Sequence, residues 1–197
     1  SGFKFYSMYG QTEATSRMSI LNYKDAKNKI CSIGKPLKGG RFKLISDKNK
    51  IINTDYTNGE LMYLGKNISF GYAENINDLS KGDLNKNSLR TGDIAYRDKD
   101  GFYFITGRKK RLCKLFGIRI SLDEIENILK SFKLDCAAVS DDKMLYLFFE
   151  NNINSPSVTK KIADSIGLNK FYVKTIFPFK LPRKSSGKIS YKELEEH

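Results

Sequence analysis

Gly107-Arg108-Lys109-Lys110-Arg111-Leu112-Cys113-Lys114-Leu115-Phe116-Gly117-Ile118-Arg119-Ile120-Ser121-Leu122-Asp123-Glu124-Ile125-Glu126 is the stretch in which the patterning of this chain changes. Arg108–Arg111 reads as a short charged connector, solvated on all sides. Leu112–Phe116 reads as a strand that turns at Gly117. Ser121-Leu122-Asp123-Glu124 then has the spacing of a capping box, in which serine caps and Glu124 reaches back. Leu122, Ile125, Ile128 and Leu129 form one apolar helical stripe behind it.

Downstream, Cys136–Val139 and Met144–Phe149 form a hairpin across Asp141-Asp142-Lys143. Ser157 is placed to cap a second helix over Val158–Ile166, with Gly167 as its stop. Phe171–Phe177 reads as a strand, Leu181–Ile189 as a Pro/Ser/Gly loop, and Tyr191–Glu196 as a short helix. Residues 108–197 thus read as one compact α+β unit.

Upstream the signals are those of short strands and turns. Residues 3–8 alternate as a strand, and Tyr9-Gly10-Gln11-Thr12-Glu13 follows as a polar loop. Gly34-Lys35-Pro36 reads as a turn, and Gly39-Gly40 leads into the strand Arg41–Ile45. Asp47-Lys48-Asn49-Lys50, Thr57-Asn58-Gly59 and Asp98-Lys99-Asp100-Gly101 read as hairpin turns. Glu60–Leu64, Ile68–Tyr72, Asp93–Tyr96 and Phe102–Ile105 are the apolar runs between them. A small β-barrel or distorted sheet over about residues 35–106 is the expectation, with the domain boundary between 1–107 and 108–197.

Composition narrows the function classes. The 197 residues carry a net charge of +13, but residues 1–107 hold +6 of it and residues 108–197 hold +7. A nucleic-acid surface would concentrate that charge; spread evenly, it suits small polyanionic ligands. No apolar run reaches the ~20 residues of a membrane span. The N-terminus shows no signal-peptide pattern. Cys31, Cys113 and Cys136 are odd in number and far apart, and His197 at the end is the single histidine. That argues against a disulfide framework or a zinc site, and for a reducing, cytoplasmic setting. Gly65-Lys66 and Gly187-Lys188 lack the upstream glycine and the following Ser/Thr of a P-loop.

Taken singly, Arg90-Thr91-Gly92-Asp93 is a plain turn and Pro182-Arg183-Lys184-Ser185-Ser186-Gly187-Lys188 a flexible basic loop. Their order carries more information. Tyr9-Gly10-Gln11-Thr12-Glu13, Gly59-Glu60-Leu61 through Gly71-Tyr72, Thr91-Gly92-Asp93, Gly107-Arg108, Lys114 through Gly117, Arg119, Glu124-Ile125-Glu126 and Leu181-Pro182-Arg183 through Gly187-Lys188 follow one another in one chain. This succession, covering about residues 5–195, resembles the adenylate-forming superfamily: acyl- and aryl-CoA synthetases, peptide-synthetase adenylation domains and luciferases.

The resemblance implies that residues 1–107 are the C-terminal end of a large adenylation domain and residues 108–197 a mobile lid. It implies a two-step reaction. A carboxylic acid attacks the α-phosphate of ATP, with Mg²⁺, to give an acyl-adenylate and pyrophosphate. A thiol of CoA or of carrier-protein phosphopantetheine, or an amine, then displaces AMP. Two anions meet in the first step, so cations and fixed donors must offset the accumulating charge. Matched to this pattern, Tyr9 with Gly10 lies against adenine, Thr12 contacts phosphate oxygens, and Glu13 helps hold Mg²⁺. Asp93 accepts from the ribose hydroxyls and Arg108 reaches the same sugar. Lys188 is the catalytic lysine bridging acid and α-phosphate. Lys110 is the hinge, whose rotation exchanges Lys188 for Lys114, Gly117 and Arg119.

The family's Ser/Thr/Gly-rich phosphate loop and acyl pocket belong upstream of Tyr9 and are absent here. The expectation is therefore a fragment of a longer ligase or a split gene product, inactive alone and partnered by a missing N-terminal large domain. The stretches Gln11–Ser19 and Gly107–Arg111 look like a bacterial subgroup of stand-alone acid ligases, which implies a small acyl or amino acid as substrate. A non-catalytic partner-binding module with the same fold is the alternative.

Overall fold

The computed structural model describes residues 3–15, 17–141 and 143–196. Ser1, Gly2, Ser16, Asp142 and His197 lie outside the described residues, and with them the middle of the turn expected at Asp141–Lys143, part of the loop expected at Gln11–Ser19 and the terminal histidine. The chain is α+β and divides into two compact units, Ser1–Lys109 and Lys110–His197.

The first unit holds eight strands: β1 (Ser7–Tyr9), β2 (Ser19–Leu21), β3 (Ser32–Pro36), β4 (Arg41–Ile45), β5 (Ile51–Ile52), β6 (Gly59–Leu64), β7 (Ser88–Arg97) and β8 (Tyr103–Arg108). They form one sheet in the order β1-β2-β3-β8-β7-β6-β4-β5, and every neighbouring pair is antiparallel. No pairing joins β1 to β5 among the described residues, so the sheet is open, not a closed barrel. The edge strand β5 has two residues, too short to template a further ladder. Phe42, Leu44, Leu61, Tyr63, Ala95 and Tyr103 pack into one core with Ala14, Met18 and Ile68.

Four local readings change. The strand read over residues 3–8 is confined to Ser7–Tyr9. Gly34-Lys35-Pro36 lies inside β3 and is not a turn. Gly34 has φ +80° and sits where an added Cβ would lie 2.0 Å from the Ile20 carbonyl oxygen, beside an irregular register against β8. Only glycine allows both the conformation and the approach. Thr57-Asn58-Gly59 does not close a hairpin, because β6 pairs with β4 and β7 rather than with β5. Ile68–Tyr72 is irregular rather than a strand, with Phe70 and Tyr72 exposed. The turns at Asp47–Lys50 and Asp98–Gly101 do join β4 to β5 and β7 to β8.

The second unit runs β9 (Leu112–Leu115), β10 (Ile118–Ser121), α1 (Leu122–Ser131), β11 (Ala137–Ser140), β12 (Leu145–Phe148), α2 (Ser155–Ile166), β13 (Val173–Ile176) and α3 (Tyr191–Leu194). β9 and β10 form a two-stranded hairpin; β11, β12 and β13 form a separate sheet. β12 and β13 are parallel, and α2 supplies the crossover that parallel neighbours require. Alternation splits the sheet's faces. Ala138, Leu145 and Leu147 join Leu122-side residues Ile125 and Leu129 of α1 and Val158 and Ile162 of α2 in one core. Ala137, Val139 and Phe148 meet Leu181 and Leu194 on the other face.

Helix caps differ in detail from the reading. The Ser121 side chain accepts from the Glu124 amide at 3.2 Å, half of the expected box. Asn154, not Ser157, caps the second helix: its Oδ1 accepts from the Ser157 amide at 3.2 Å. Pro156 in the first turn lengthens that helix toward the N-terminus, because proline lacks only a donor that the first turn leaves unused. Gly167 stops it in the left-handed region at φ +68°.

Candidate functional site

Asp93 is the centre of the first cluster. It lies in β7 and is buried. Between Arg97↔Tyr103 and Ala95↔Ile105 the β7–β8 ladder is regular; a shift between Ile94 and Ala95 then sets Asp93 opposite Arg108. Without that one-residue bulge Asp93 would face Gly107, and the guanidinium would sit one position away. As built, Arg108 Nε lies 3.2 Å from Asp93 Oδ1, with the arginine largely exposed and the carboxylate covered.

The other oxygen of Asp93 accepts from the Tyr9 hydroxyl at 2.5 Å and from the Gln11 amide nitrogen at 3.2 Å. Gln11 also donates to the Thr91 carbonyl at 2.9 Å. Thr91 Oγ1 accepts from the Asp93 amide at 3.1 Å and donates to the Leu61 carbonyl at 2.8 Å, a local turn that threonine is suited to make. Gly92 between them has φ +72°. Burial first, and its hydrogen bond to the Asp93 carboxylate second, push the Tyr9 phenol well above its ordinary range. Tyr9 therefore stays a proton donor toward Asp93. The result is a buried carboxylate, held by neutral donors and one largely exposed cation.

Thr12 and Glu13 lie in a short helical turn, Thr12–Ala14. Ala14 is fully buried and roots that turn in the core, which leaves Thr12 exposed. The Glu13 carboxylate accepts from the Tyr72 hydroxyl; that bond, more than any other contact, draws its pKa below the usual carboxylate value. Among the described residues no group of three or more His, Cys, Asp or Glu converges on a metal position. A lone carboxylate fits Mg²⁺, which keeps most of its waters and binds through one or two carboxylates plus substrate phosphates.

Lys188 belongs to the second unit and projects from a miniature hairpin. Ser190 N donates to Pro182 O, Lys184 N to Lys188 O and Gly187 N to Lys184 O, each at 2.8 Å. Arg183 pairs with Ile189 in an isolated bridge, and Gly187 takes φ +80° in the turn. The loop read as flexible is thus a hydrogen-bonded tip with Lys188 exposed on it. Lys114 and Arg119 face each other directly across β9 and β10, both exposed. Gly117, at φ +86° with open space where a Cβ would stand, closes the turn between them.

Arg108–Arg111 departs from the solvated connector that was expected. Lys109 Nζ lies 2.9 Å from buried Glu60, and Arg111 is mostly buried among Asp123, Glu126 and Tyr191. Lys110 between them is exposed. The sequence reading also passed over Gln11 and Tyr72 as partners of site carboxylates. Both lie within the ordered motifs, but nothing local marks them as partners of these carboxylates, since the contacts span 82 and 59 positions.

No protein-family model matches the chain. A 2-succinylbenzoate–CoA ligase of Bacillus cereus (strain Q1) is 28% identical over 99% of the chain, which spans 42% of that relative. The Bacillus subtilis enzyme of the same name is 26% identical over 99% of the chain and 41% of its own length. Among solved structures, the O-succinylbenzoate coenzyme A synthetase MenE from Bacillus subtilis in complex with AMP superposes with a TM-score of 0.74 at 26% identity, over 98% of this chain and 41% of that one. The amide bond synthetase McbA from Marinactinospora thermotolerans shares the fold, at 17% identity and a TM-score of 0.69 over 97% of this chain and 41% of its own. The chain spans about two-fifths of the length of these relatives.

Proposed function

We propose that this chain, which matches the C-terminal portion of the adenylate-forming superfamily, supplies the ribose contact, metal carboxylate and catalytic lysine of an AMP-forming acid–thiol ligase. The observation that carries the reading is the Asp93 cluster. Tyr9, Gln11 and Arg108, remote in sequence, converge on one buried carboxylate, an arrangement that core packing alone does not call for.

In this reading Asp93 accepts the two hydroxyls of a ribose. The 3.2 Å contacts from Gln11 and Arg108 are the ones that yield, while the Tyr9 bond holds the carboxylate in place. Glu13 is the residue that would hold Mg²⁺, which when bound supplies charge neutralisation at the phosphates. Thr12, exposed on the same turn, offers a hydroxyl to a phosphate oxygen. Lys188 brings a point positive charge to the carboxylate–phosphate encounter, and its exposed hairpin can deliver and withdraw it. Lys110 is the pivot, and Lys114, Gly117 and Arg119 form the face that meets the acceptor, CoA or a carrier-protein pantetheine. The rest of the catalytic machinery comes from a large domain preceding this region, and the enzyme works in the cytoplasm.

The test uses the protein as its source cells make it, sized by immunoblot against the 22.5 kDa of this chain. Lys188→Ala is expected to lower ATP–pyrophosphate exchange by about 10²–10³-fold while sparing thioester formation from supplied acyl-adenylate. Exchange that survives within a few-fold removes Lys188 from the mechanism. Asp93→Ala is expected to raise the KM for ATP; calorimetry with AMP that shows equal binding by Asp93→Ala and the parent would overturn the ribose assignment.

A further inference from the structure

Arg111 is the residue that the connector hides. Its side chain is 12% exposed, and it lies between Lys110 and β9. Nε bonds Asp123 at 2.6 Å and one terminal nitrogen bonds Glu126 at 2.5 Å, both on α1. The other terminal nitrogen donates to the Ala138 carbonyl at 3.1 Å. The guanidinium carbon stands 3.7 Å from the centre of the Tyr191 ring. Tyr191 in turn donates through its hydroxyl to the second oxygen of Glu126 at 2.9 Å, and Glu126 accepts the Ala138 amide at 2.8 Å. One arginine thereby ties connector, α1, β11 and α3 together.

Tyr191 begins α3 three residues after Lys188, and Ser190 between them is buried and closes the hairpin onto Pro182. Residues 183–188 are themselves exposed, and apart from the exposed Arg183–Glu150 ion pair at 3.3 Å it is the base of that hairpin that decides where Lys188 points. A four-residue helix has no stability of its own; α3 is placed by Leu194 in the core and by the Tyr191 ring under Arg111. Two carboxylates and a carbonyl would satisfy a guanidinium without a ring. The ring adds a stacked contact that a planar cation makes well, and it adds it at the root of the lysine loop.

We infer that Arg111 is a positioning residue: through Tyr191 it fixes the Lys188 hairpin to the connector beside Lys110, so that turning the connector carries Lys188 as part of one rigid body. This rests on the proposed roles of Lys188 and Lys110. Exposed hairpins swing independently unless something stiff holds their base, and a lysine withdrawn between two steps must return to the same place.

The test is hydrogen exchange on the 197-residue chain itself, comparing Arg111→Lys and Tyr191→Leu with the parent. Tyr191→Leu keeps both carboxylates beside Arg111 but removes the ring together with its hydroxyl bond to Glu126, and Arg111→Lys keeps the charge, so each checks the other if one variant folds poorly. The amides of Lys184, Gly187 and Ser190 are expected to exchange about tenfold faster, the order set by losing one partly desolvated cation–π contact. Those of α2 and β12 should be unchanged, and Tyr191→Phe should restore most of the protection. Unchanged loop amides, or loosening spread over α2 and β12, would overturn the inference. Adenylation rate in the complete enzyme is read separately. A loosened hairpin with kcat for adenylation unaffected would remove Lys188 from the chemistry while leaving the coupling intact.

Discussion

Asp98 and Glu60 are buried acids in the first unit whose partners decide their charge. Burial alone would raise both, but Lys29 and the Phe102 and Asp100 amides outweigh it at Asp98, and Arg90 and Lys109 outweigh it at Glu60. Both therefore titrate below their ordinary values. Such groups stabilise the fold fully above the unfolded carboxylate range near about 4, and the stabilisation fades as pH falls through the lower folded values. Urea midpoints are expected to be flat from neutral pH down to that range and to drop below it. Asp98→Asn and Glu60→Gln should each flatten the acid limb; an unchanged limb in both would refute the assignment. Cys136 shows the opposite outcome for a thiol, where burial wins. Burial pushes it up to about 12, so at pH 8 Ellman's reagent should label exposed Cys31 and leave Cys136 until the chain unfolds. Equal labelling rates would refute the burial.

The element scale shows where backbone geometry, not side-chain chemistry, governs. Gly34 has both a left-handed φ and a carbonyl in the way of any Cβ. Gly34→Ala is expected to cost more than the ~1 kcal/mol typical of a strained glycine replacement, read as a fall in melting temperature. A melting temperature within a degree of the parent would mean that β2 and β3 are not held at this spacing. Asn154→Ala removes the α2 cap and should cost about 1 kcal/mol, whereas Ser157→Ala, on the helix's exposed first turn, should cost little. The reverse ranking would move the helix start back to where periodicity alone put it. The bulge in β7–β8 is of the same kind: one extra residue decides whether Arg108 or Gly107 stands opposite Asp93.

At the scale of the molecule, each unit has its own core. The unit Lys110–His197 buries Leu115, Ile125, Leu129, Leu145, Leu147 and Ile162 completely, enough for a domain of its size to fold alone. Expressed by itself it is expected to melt in one cooperative transition; a gradual, non-cooperative loss of ellipticity would show that its fold depends on the first unit. Much of this organisation was legible beforehand. Strand and helix identity follow from periodicities of 2 and 3.6 that are local, so Arg41–Ile45, the α1 stripe and the β11–β12 hairpin could be read directly, and the ordered loops pointed to a family because each motif is short and contiguous. What neighbours in space do to one another could not be read. Periodicity does not say that β6 skips β5 to pair with β4, and a run of four basic residues reads as solvated until the carboxylates that bury Arg111 arrive from α1. Sequence by itself determined most of the strands and helices and offered residue types for a candidate site, because propensity and patterning act over a few residues. Tertiary structure alone decided which donors meet Asp93, what holds the base of the Lys188 hairpin, and which charges of the connector are buried, because those energies arise only when distant segments exclude water together.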